Sequence, residues 1–145
     1  MKVSMKSDYS LRAVLDLASH SGEGPVQSAD IAARQGIPEP YLEQLLTILR
    51  KAGLVKSVRG PQGGHLLARP PEQISVGEVI VAMEGSVAPM RCVEATDACS
   101  LSSTCAQREL WKEVNEATQK ILDSTTIGSL LDREASRLRK TMYYI

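Results

Sequence analysis

The sequence lacks three features that mark large classes of proteins. No apolar run approaches the roughly 20 residues that a bilayer-spanning helix needs, and Met1 to Lys6 do not form the apolar stretch of a signal peptide. No nucleophile–base motif, phosphate-binding loop or carboxylate pair stands out. We therefore expect a cytoplasmic, membrane-free protein that is not an enzyme, folded as one domain or one domain with an arm.

The chain also lacks a net charge, since 17 basic residues balance 17 acidic ones. This average hides a local asymmetry, because residues 44–71 contain no Asp or Glu but include five cations, namely Arg50, Lys51, Lys56, Arg59 and Arg69. Such a cluster on a small module can bind phosphates even in a neutral protein. A solvated basic surface is the alternative interpretation.

Cysteine is scarce, and its three copies lie close together in the sequence, at Cys92, Cys99 and Cys105. An odd number of cysteines in a cytoplasmic chain argues against a disulfide framework. Their clustering argues against three unrelated core residues.

Apolar spacing predicts three helices in the first 52 residues. The first carries Leu11, Val14, Leu15 and Ala18, with Ser7 or Asp8 as its cap. The second runs from a Ser28 cap to Gln35, with Ile31 and Ala32 facing inward, and Gly36-Ile37-Pro38 ends it. The third runs from about Glu39 to Ala52, and Gly53 follows its end. Its inward positions are Leu42, Leu45, Leu46 and Leu49.

The second and third helices, joined by a glycine-containing turn, predict a helix-turn-helix. The amino-terminal residues of the second helix of such a unit lie nearest the base edges in the major groove. Gln44 can read adenine, and Glu43 can accept from the cytosine amino group. A helical hairpin that does not bind nucleic acid is the alternative.

A β-hairpin follows at once, with strands at residues 54–59 and 65–69 and a turn at residues 60–64. It is a candidate wing whose tip, Arg59 and Gly60, can enter the minor groove. The expected DNA-contacting set is Ser28, Pro40, Tyr41, Glu43, Gln44, Arg50, Lys51, Lys56, Arg59 and Gly60.

Beyond the hairpin, Ser75 opens a fourth helix that carries Val76, Val79, Ile80 and Met83, and residues 85–104 predict a loop. A long helix starts near Cys105, with an apolar stripe at Leu110, Val114, Ala117 and Ile121, and a short helix follows from Ile127 to Lys140. The predicted fold is mainly α with a small β-hairpin wing: a winged helix-turn-helix over residues 1–84, a cysteine-bearing loop over 85–104, and a dimerisation helix with a carboxy-terminal segment over 105–145.

The pattern Cys92-x6-Cys99-x5-Cys105 offers three soft thiolate ligands, which suit iron–sulfur clusters, zinc or copper. Zinc fingers more often use closely spaced cysteine pairs. The wider gaps therefore favour an iron–sulfur cluster, either [2Fe–2S] or [4Fe–4S]. A zinc site and a metal-free thiol switch remain alternatives.

Several stretches resemble the IscR/NsrR/CymR family of bacterial transcription regulators: residues 1–4, residues 41–45, residues 53–64 and the three cysteines. The resemblance covers nearly the whole chain. It implies a homodimer built on the long helix, palindromic operators, a reading helix with Tyr41, Glu43 and Gln44, and a wing with Arg59. It also implies that Cys92, Cys99 and Cys105 bind a cluster, whereas the thiol-only branch that controls cysteine metabolism lacks this triplet.

One departure concerns the fourth cluster ligand. The regulators resembling IscR carry a histidine three residues after the third cysteine, where this chain has Arg108, and a guanidinium offers no lone pair. The nitric-oxide sensors resembling NsrR use an amino-terminal aspartate beside the partner subunit's cluster, which implies Asp8. A helix cap is the alternative role for Asp8, and Glu94 and Asp97 are alternative oxygen donors.

Overall fold

A computed structural model describes residues 1–144, and Ile145 lies outside the described residues. Within that range the chain forms seven α-helices and one two-stranded hairpin. Among these residues, each helix is too short or too polar to cross a lipid bilayer. The elements are α1 (Met5–Ser19), α2 (Ser28–Gln35), α3 (Glu39–Lys51), β1 (Val55–Val58), β2 (Gly64–Leu67), α4 (Val76–Glu84), α5 (Arg91–Glu94), α6 (Ala106–Ser124) and α7 (Ile127–Tyr143), with 3₁₀ turns at Pro71–Gln73 and Thr96–Ala98.

The amino-terminal half has the predicted winged helix-turn-helix architecture. The predicted inward residues of α2, α3 and α4 are all buried. At the ends of α2 and α3, Gly36 and Gly53 have φ angles of 64° and 77°, a left-handed conformation that glycine adopts without strain. Ser75 caps α4 in a reciprocal capping box with Glu78. The local sequence signals therefore placed these helices correctly.

Two predicted caps are wrong. Ser4 caps α1 by accepting a hydrogen bond from the Ser7 amide, whereas Ser7 lies inside the helix and its hydroxyl donates to Glu84 at 2.6 Å. Asp8 is one residue further into α1. Ser28 is the first residue of α2 rather than its cap, and its hydroxyl donates to Glu43. In both cases a carboxylate from another helix supplies an acceptor that local sequence patterns do not reveal.

The hairpin is held by an antiparallel register that pairs Val55 with Leu67 and Val58 with Gly64. Val26, two residues before α2, adds a bridge to the hairpin, since its amide and carbonyl both bond to His65, at 2.9 and 2.7 Å. A Cβ on Gly64 would lie 2.5 Å from the Val26 oxygen, so only glycine permits this approach. The bridge ties the wing to the helix-turn-helix.

The carboxy-terminal half departs from the sequence predictions in two places. The predicted loop at 85–104 contains α5 and a 3₁₀ turn, and the final helix extends to Tyr143 rather than Lys140. Ile127, the first residue of α7, is fully buried, and its amide donates to the Ile74 carbonyl at 2.9 Å. The start of α7 thus belongs to the core of the winged domain, while the division into 1–84, 85–104 and 105–145 stays a prediction.

A buried carboxylate joins α1 to α2. Asp16 is only 3% exposed, and it accepts hydrogen bonds from Arg34 at 2.8 and 2.9 Å and from Gln35 at 3.0 Å. Burial by itself raises the pKa of Asp16, but these bonds and the Arg34 charge outweigh it, and the pKa lies below its ordinary 3.8.

We predict that Asp16→Asn lowers the free energy of unfolding at pH 7 by about 1.5–3 kcal/mol, because the charged acceptor is lost. A carboxyl group whose pKa is lower in the folded protein than in the unfolded chain stabilises the fold at pH values above its unfolded pKa. This contribution disappears as the pH falls through the folded pKa. The difference in free energy of unfolding between Asp16→Asn and the wild type should therefore become smaller below about pH 4. Urea denaturation across that range measures it.

The control is Asp8→Asn, which breaks an ion pair with Arg12 on the surface of the same helix, where the two side chains are 39% and 45% exposed. It should change stability by less than about 1 kcal/mol. Equal effects of the two variants would contradict a special role for Asp16.

Candidate DNA interface and cysteine pocket

Helix α3 has one buried apolar face and one exposed polar face. Leu42, Leu45, Leu46 and Leu49 are at most 1% exposed, and they anchor α3 in the core. The opposite face presents the predicted contact residues Pro40, Glu43, Gln44, Arg50 and Lys51, all of them exposed. This is the orientation that a reading helix needs.

Glu43 is held in place rather than free in solvent. Its carboxylate accepts the Ser28 hydroxyl bond from the start of α2, and the hydroxyl of Thr47 donates to its backbone carbonyl at 2.9 Å. Ser28 and Glu43, both in the predicted DNA-contacting set, therefore lie side by side across the helix-turn-helix.

Tyr41 is half-buried, and its ring packs edge-on against the ring of Tyr9 with 5.9 Å between centroids. The Arg12 guanidinium lies over the ring of Tyr9, 5.5 Å from its centroid. Tyr41 thus links α3 to α1 through aromatic packing. Its contact with DNA stays a prediction.

The wing presents Lys56, Arg59 and Gly60 as exposed residues. Arg69, counted among the five cations of this region, instead pairs with Glu78 at 2.6 Å and donates to the Gln73 carbonyl at 3.0 Å. Within residues 1–144 the other four cations form no ion pair. The basic surface of the helix-turn-helix and wing therefore consists of Arg50, Lys51, Lys56 and Arg59.

A series of side-chain hydrogen bonds, which the sequence did not reveal, connects α3 to the wing. Arg50 donates to the Ser57 hydroxyl at 3.4 Å, and that hydroxyl lies 3.3 Å from Nδ1 of His65. Burial lowers the pKa of His65 below 6.5, and the Arg50 charge lowers it further while Glu43 opposes the shift. His65 is thus mainly neutral at pH 7. The strand register, which pairs Ser57 with His65, is what brings these groups together.

The three cysteines surround a single pocket. Cys92 is buried in α5, Cys99 is exposed after the 3₁₀ turn, and Cys105 is half-buried at the start of α6. The pocket has a volume of about 570 Å³. The backbone between them is folded by short turns rather than extended, so thiols six and seven residues apart line one space.

The side chains that line this pocket include three thiols, which suit a thiolate-bound group. Within residues 1–144, no three His, Cys, Asp or Glu side chains lie close enough to hold a single metal ion. Soft thiolates are the usual ligands of iron–sulfur clusters. In addition, the pocket-lining residue Ser102 is 6% exposed, and its hydroxyl has no hydrogen-bond partner. A buried hydroxyl without a partner calls for an explanation, such as a bound group, an ordered water or local strain.

Arg108 occupies the position where the regulators resembling IscR carry histidine. Its Nε donates to the Cys92 carbonyl at 2.8 Å, and its Nη2 donates to the Thr96 hydroxyl at 3.3 Å. The guanidinium therefore ties α6 to the segment that bears the first cysteine. It supports the loop through one backbone carbonyl and one threonine hydroxyl instead of offering a ligand.

The candidate oxygen ligands lie outside this pocket. Asp8 pairs with Arg12 at 2.8 Å on the surface of α1, and Glu94 and Asp97 are exposed without lining the pocket. Within residues 1–144 of one chain, therefore, none of these three carboxylates completes the ligand set. Asp8 as a ligand stays a prediction that involves the partner subunit.

The predicted dimerisation stripe is exposed along α6. Leu110 is 53%, Val114 40% and Ile121 65% exposed, and no residue of α6 is buried. The helix contacts α4 and α5 along its other side. An apolar stripe of this kind on a 19-residue helix is unusual unless another surface covers it.

Comparisons with known proteins agree on one family. Residues 3–133 match the family model Rrf2, described as an iron-dependent transcriptional regulator. The chain is 43% identical over 139 residues to the HTH-type transcriptional regulator IscR of Aliivibrio salmonicida, which covers 95% of this chain and 82% of that protein.

Two solved structures are similar over most of their length. CymR of B. subtilis, described as the global cysteine regulator, has a TM-score of 0.78 and 39% identity, covering 92% of this chain and 98% of that one. IscR of T. potens has a TM-score of 0.76 and 45% identity, covering 92% and 88%. The chain therefore belongs to the Rrf2 family, and it is a DNA-binding transcription regulator rather than an enzyme.

Proposed function

We propose that this regulator acts in the cytoplasm as a homodimer, as a repressor or an activator, and that an iron–sulfur cluster controls its binding to palindromic operators. The observation that carries the proposal is that Cys92, Cys99 and Cys105 line one pocket. When bound there, a [2Fe–2S] or [4Fe–4S] cluster supplies a centre that responds to redox state, nitric oxide or iron supply.

The residues of the chain have separate tasks in this proposal. The three thiolates hold the group, and Arg108 fixes the backbone at Cys92. Asp8 of the partner subunit supplies an oxygen donor, for which its carboxylate must leave Arg12. Because α1 packs against α3, a change in the partner of Asp8 can bias the placement of the reading helix.

On DNA, the polar face of α3 lies in the major groove and the wing tip lies in the minor groove. Gln44 and Glu43 contact base edges, Arg59 enters the minor groove, and Arg50, Lys51 and Lys56 bind phosphates. A two-fold dimer places two such faces on a palindrome.

We predict that Arg59→Ala weakens binding to an operator duplex sharply and reduces its salt dependence, because a phosphate or groove contact is lost. Gln44→Ala should mainly relax base preference, by about 1–3 kcal/mol at the contacted pair. Anisotropy titrations at several salt concentrations, on a duplex selected from a random library and on its scrambled form, measure both effects.

Arg137→Ala, which removes an exposed cation on α7, an element outside the reading helix and the wing, is the matched control and should bind as wild type does. Unchanged affinity of Arg59→Ala, or binding independent of salt, would contradict the role of the wing.

We predict that anaerobically purified protein contains iron and inorganic sulfide and absorbs visible light, and that Cys105→Ser abolishes both because one of three thiolates is lost. Asp8→Ala should keep the fold but change the spectrum and the rate of reaction with nitric oxide or oxygen. The measurements are absorption spectroscopy, metal analysis and stopped-flow kinetics.

Asp97→Ala removes a carboxylate within the cysteine segment and serves as the control for Asp8→Ala. If Asp97→Ala alters the spectrum and Asp8→Ala does not, the oxygen ligand has been assigned to the wrong residue. A colourless protein with stoichiometric zinc, or one without any metal, would favour the zinc-stabilised or metal-free thiol alternative over cluster sensing.

The exposed stripe of α6 supports a second copy of the chain as its partner. We predict that Ile121→Glu converts the dimer into a monomer and weakens operator binding, because a charge would be buried at the interface. Gln119→Glu adds the same charge at an exposed position two residues away and should leave the dimer intact. Sedimentation at micromolar concentration decides between these outcomes, and a wild-type monomer would contradict the proposal.

A further inference from the structure

Ser102 is a buried polar residue that neither the fold nor the DNA interface uses. It lies in the segment between the second and third cysteines and is 6% exposed. Its hydroxyl is shielded from solvent and has no hydrogen-bond partner among the described residues. A buried hydroxyl loses its bonds to water, so a structure that leaves it unpaired is penalised unless a bound group supplies the acceptor.

The position of Ser102 follows from a spacing of three residues. Cys99, Ser102, Cys105 and Arg108 are each three apart. The Ser102 amide donates to the Cys99 carbonyl at 3.2 Å, and the Arg108 amide donates to the Cys105 carbonyl at 3.2 Å. Turns with i to i+3 bonds bring residues three apart to the same side of the chain. All four residues line the cysteine pocket.

The two adjacent serines differ in their exposure. Ser103 is exposed to solvent, whereas the Ser102 hydroxyl is buried and has no hydrogen-bond partner among the described residues. The hydroxyl can turn about one side-chain bond among three staggered positions, and the residue lines the cysteine pocket. Sulfur atoms are weak but real acceptors, and those that carry negative charge are the better ones.

We propose that the Ser102 hydroxyl donates a hydrogen bond to a sulfur atom of the bound cluster, either a cysteine thiolate or an inorganic sulfide, and thereby raises the reduction potential of the cluster. This inference rests on the proposed function. The physical reason is that a donor stabilises the more negative, reduced form more than the oxidised form, and hydrogen bonds to the sulfurs are among the factors that set such potentials. Ser102 is thus a positioning and tuning residue, not a ligand.

The test compares Ser102→Ala with Ser103→Ala, which removes the same hydroxyl from the exposed neighbour. In the reduced, metal-free protein, Ser102→Ala should unfold at the same temperature as wild type or higher, because no hydrogen bond is lost. In the iron–sulfur protein it should lower the reduction potential, by about 59 mV for a tenfold change in a one-electron equilibrium. Ser103→Ala should leave both quantities unchanged.

Rescue by Ser102→Thr provides a second measurement, since threonine keeps the hydroxyl and should restore most of the potential. Release of iron to a chelator should be several-fold faster from Ser102→Ala than from wild type or Ser103→Ala. A purely structural role would instead destabilise the metal-free protein.

Four results would overturn the inference. The first is an unchanged potential in Ser102→Ala, and the second is an equal shift in Ser103→Ala. The third is loss of the folding transition in metal-free Ser102→Ala, which would make the residue structural. The fourth is complete loss of iron from a folded Ser102→Ala protein, which would make the residue a ligand. A wild-type protein that takes up no cluster would instead refute the proposed function itself, so the two failures are distinguishable.

Discussion

The burial of one leucine face of α3 is the constraint on which the rest of the structure depends. Leu42, Leu45, Leu46 and Leu49 are packed among α1, α2 and α4, and this packing leaves the helix with only one orientation. The opposite face must then point outward with Glu43 and Gln44. In the proposed function, affinity for DNA and stability of the fold therefore depend on different sides of the same thirteen residues.

Polar contacts between neighbouring elements add to this apolar packing. The Asp16 carboxylate joins α1 to α2, Ser28 holds Glu43, and Arg50 reaches the wing through Ser57. Each contact crosses between two elements, so the reading helix and the wing are positioned together. A rigid pair of this kind lowers the ordering penalty on binding a duplex.

Two polar contacts flank the cysteine segment. At its start, Glu84 at the end of α4 accepts a hydrogen bond from Ser7, and the bonds from Ser4 and Ser7 lower the pKa of Glu84. At its end, Arg108 bonds back to the Cys92 carbonyl. The first turn of α1, which carries Asp8, therefore contacts the residue from which the chain leads into the cysteine segment.

The sequence by itself determined the helices of the winged domain, the hairpin, and the four leucines that face inward, because local periodicity and glycine positions encode them. It also singled out the three cysteines, through their type and spacing. Only the tertiary structure decided that Arg69 is paired with Glu78, that Ser28 binds Glu43, that Ile127 enters the core, and that Ser102 is buried without a partner. These contacts join residues from different elements, and their partners depend on how the helices pack, which no local pattern specifies.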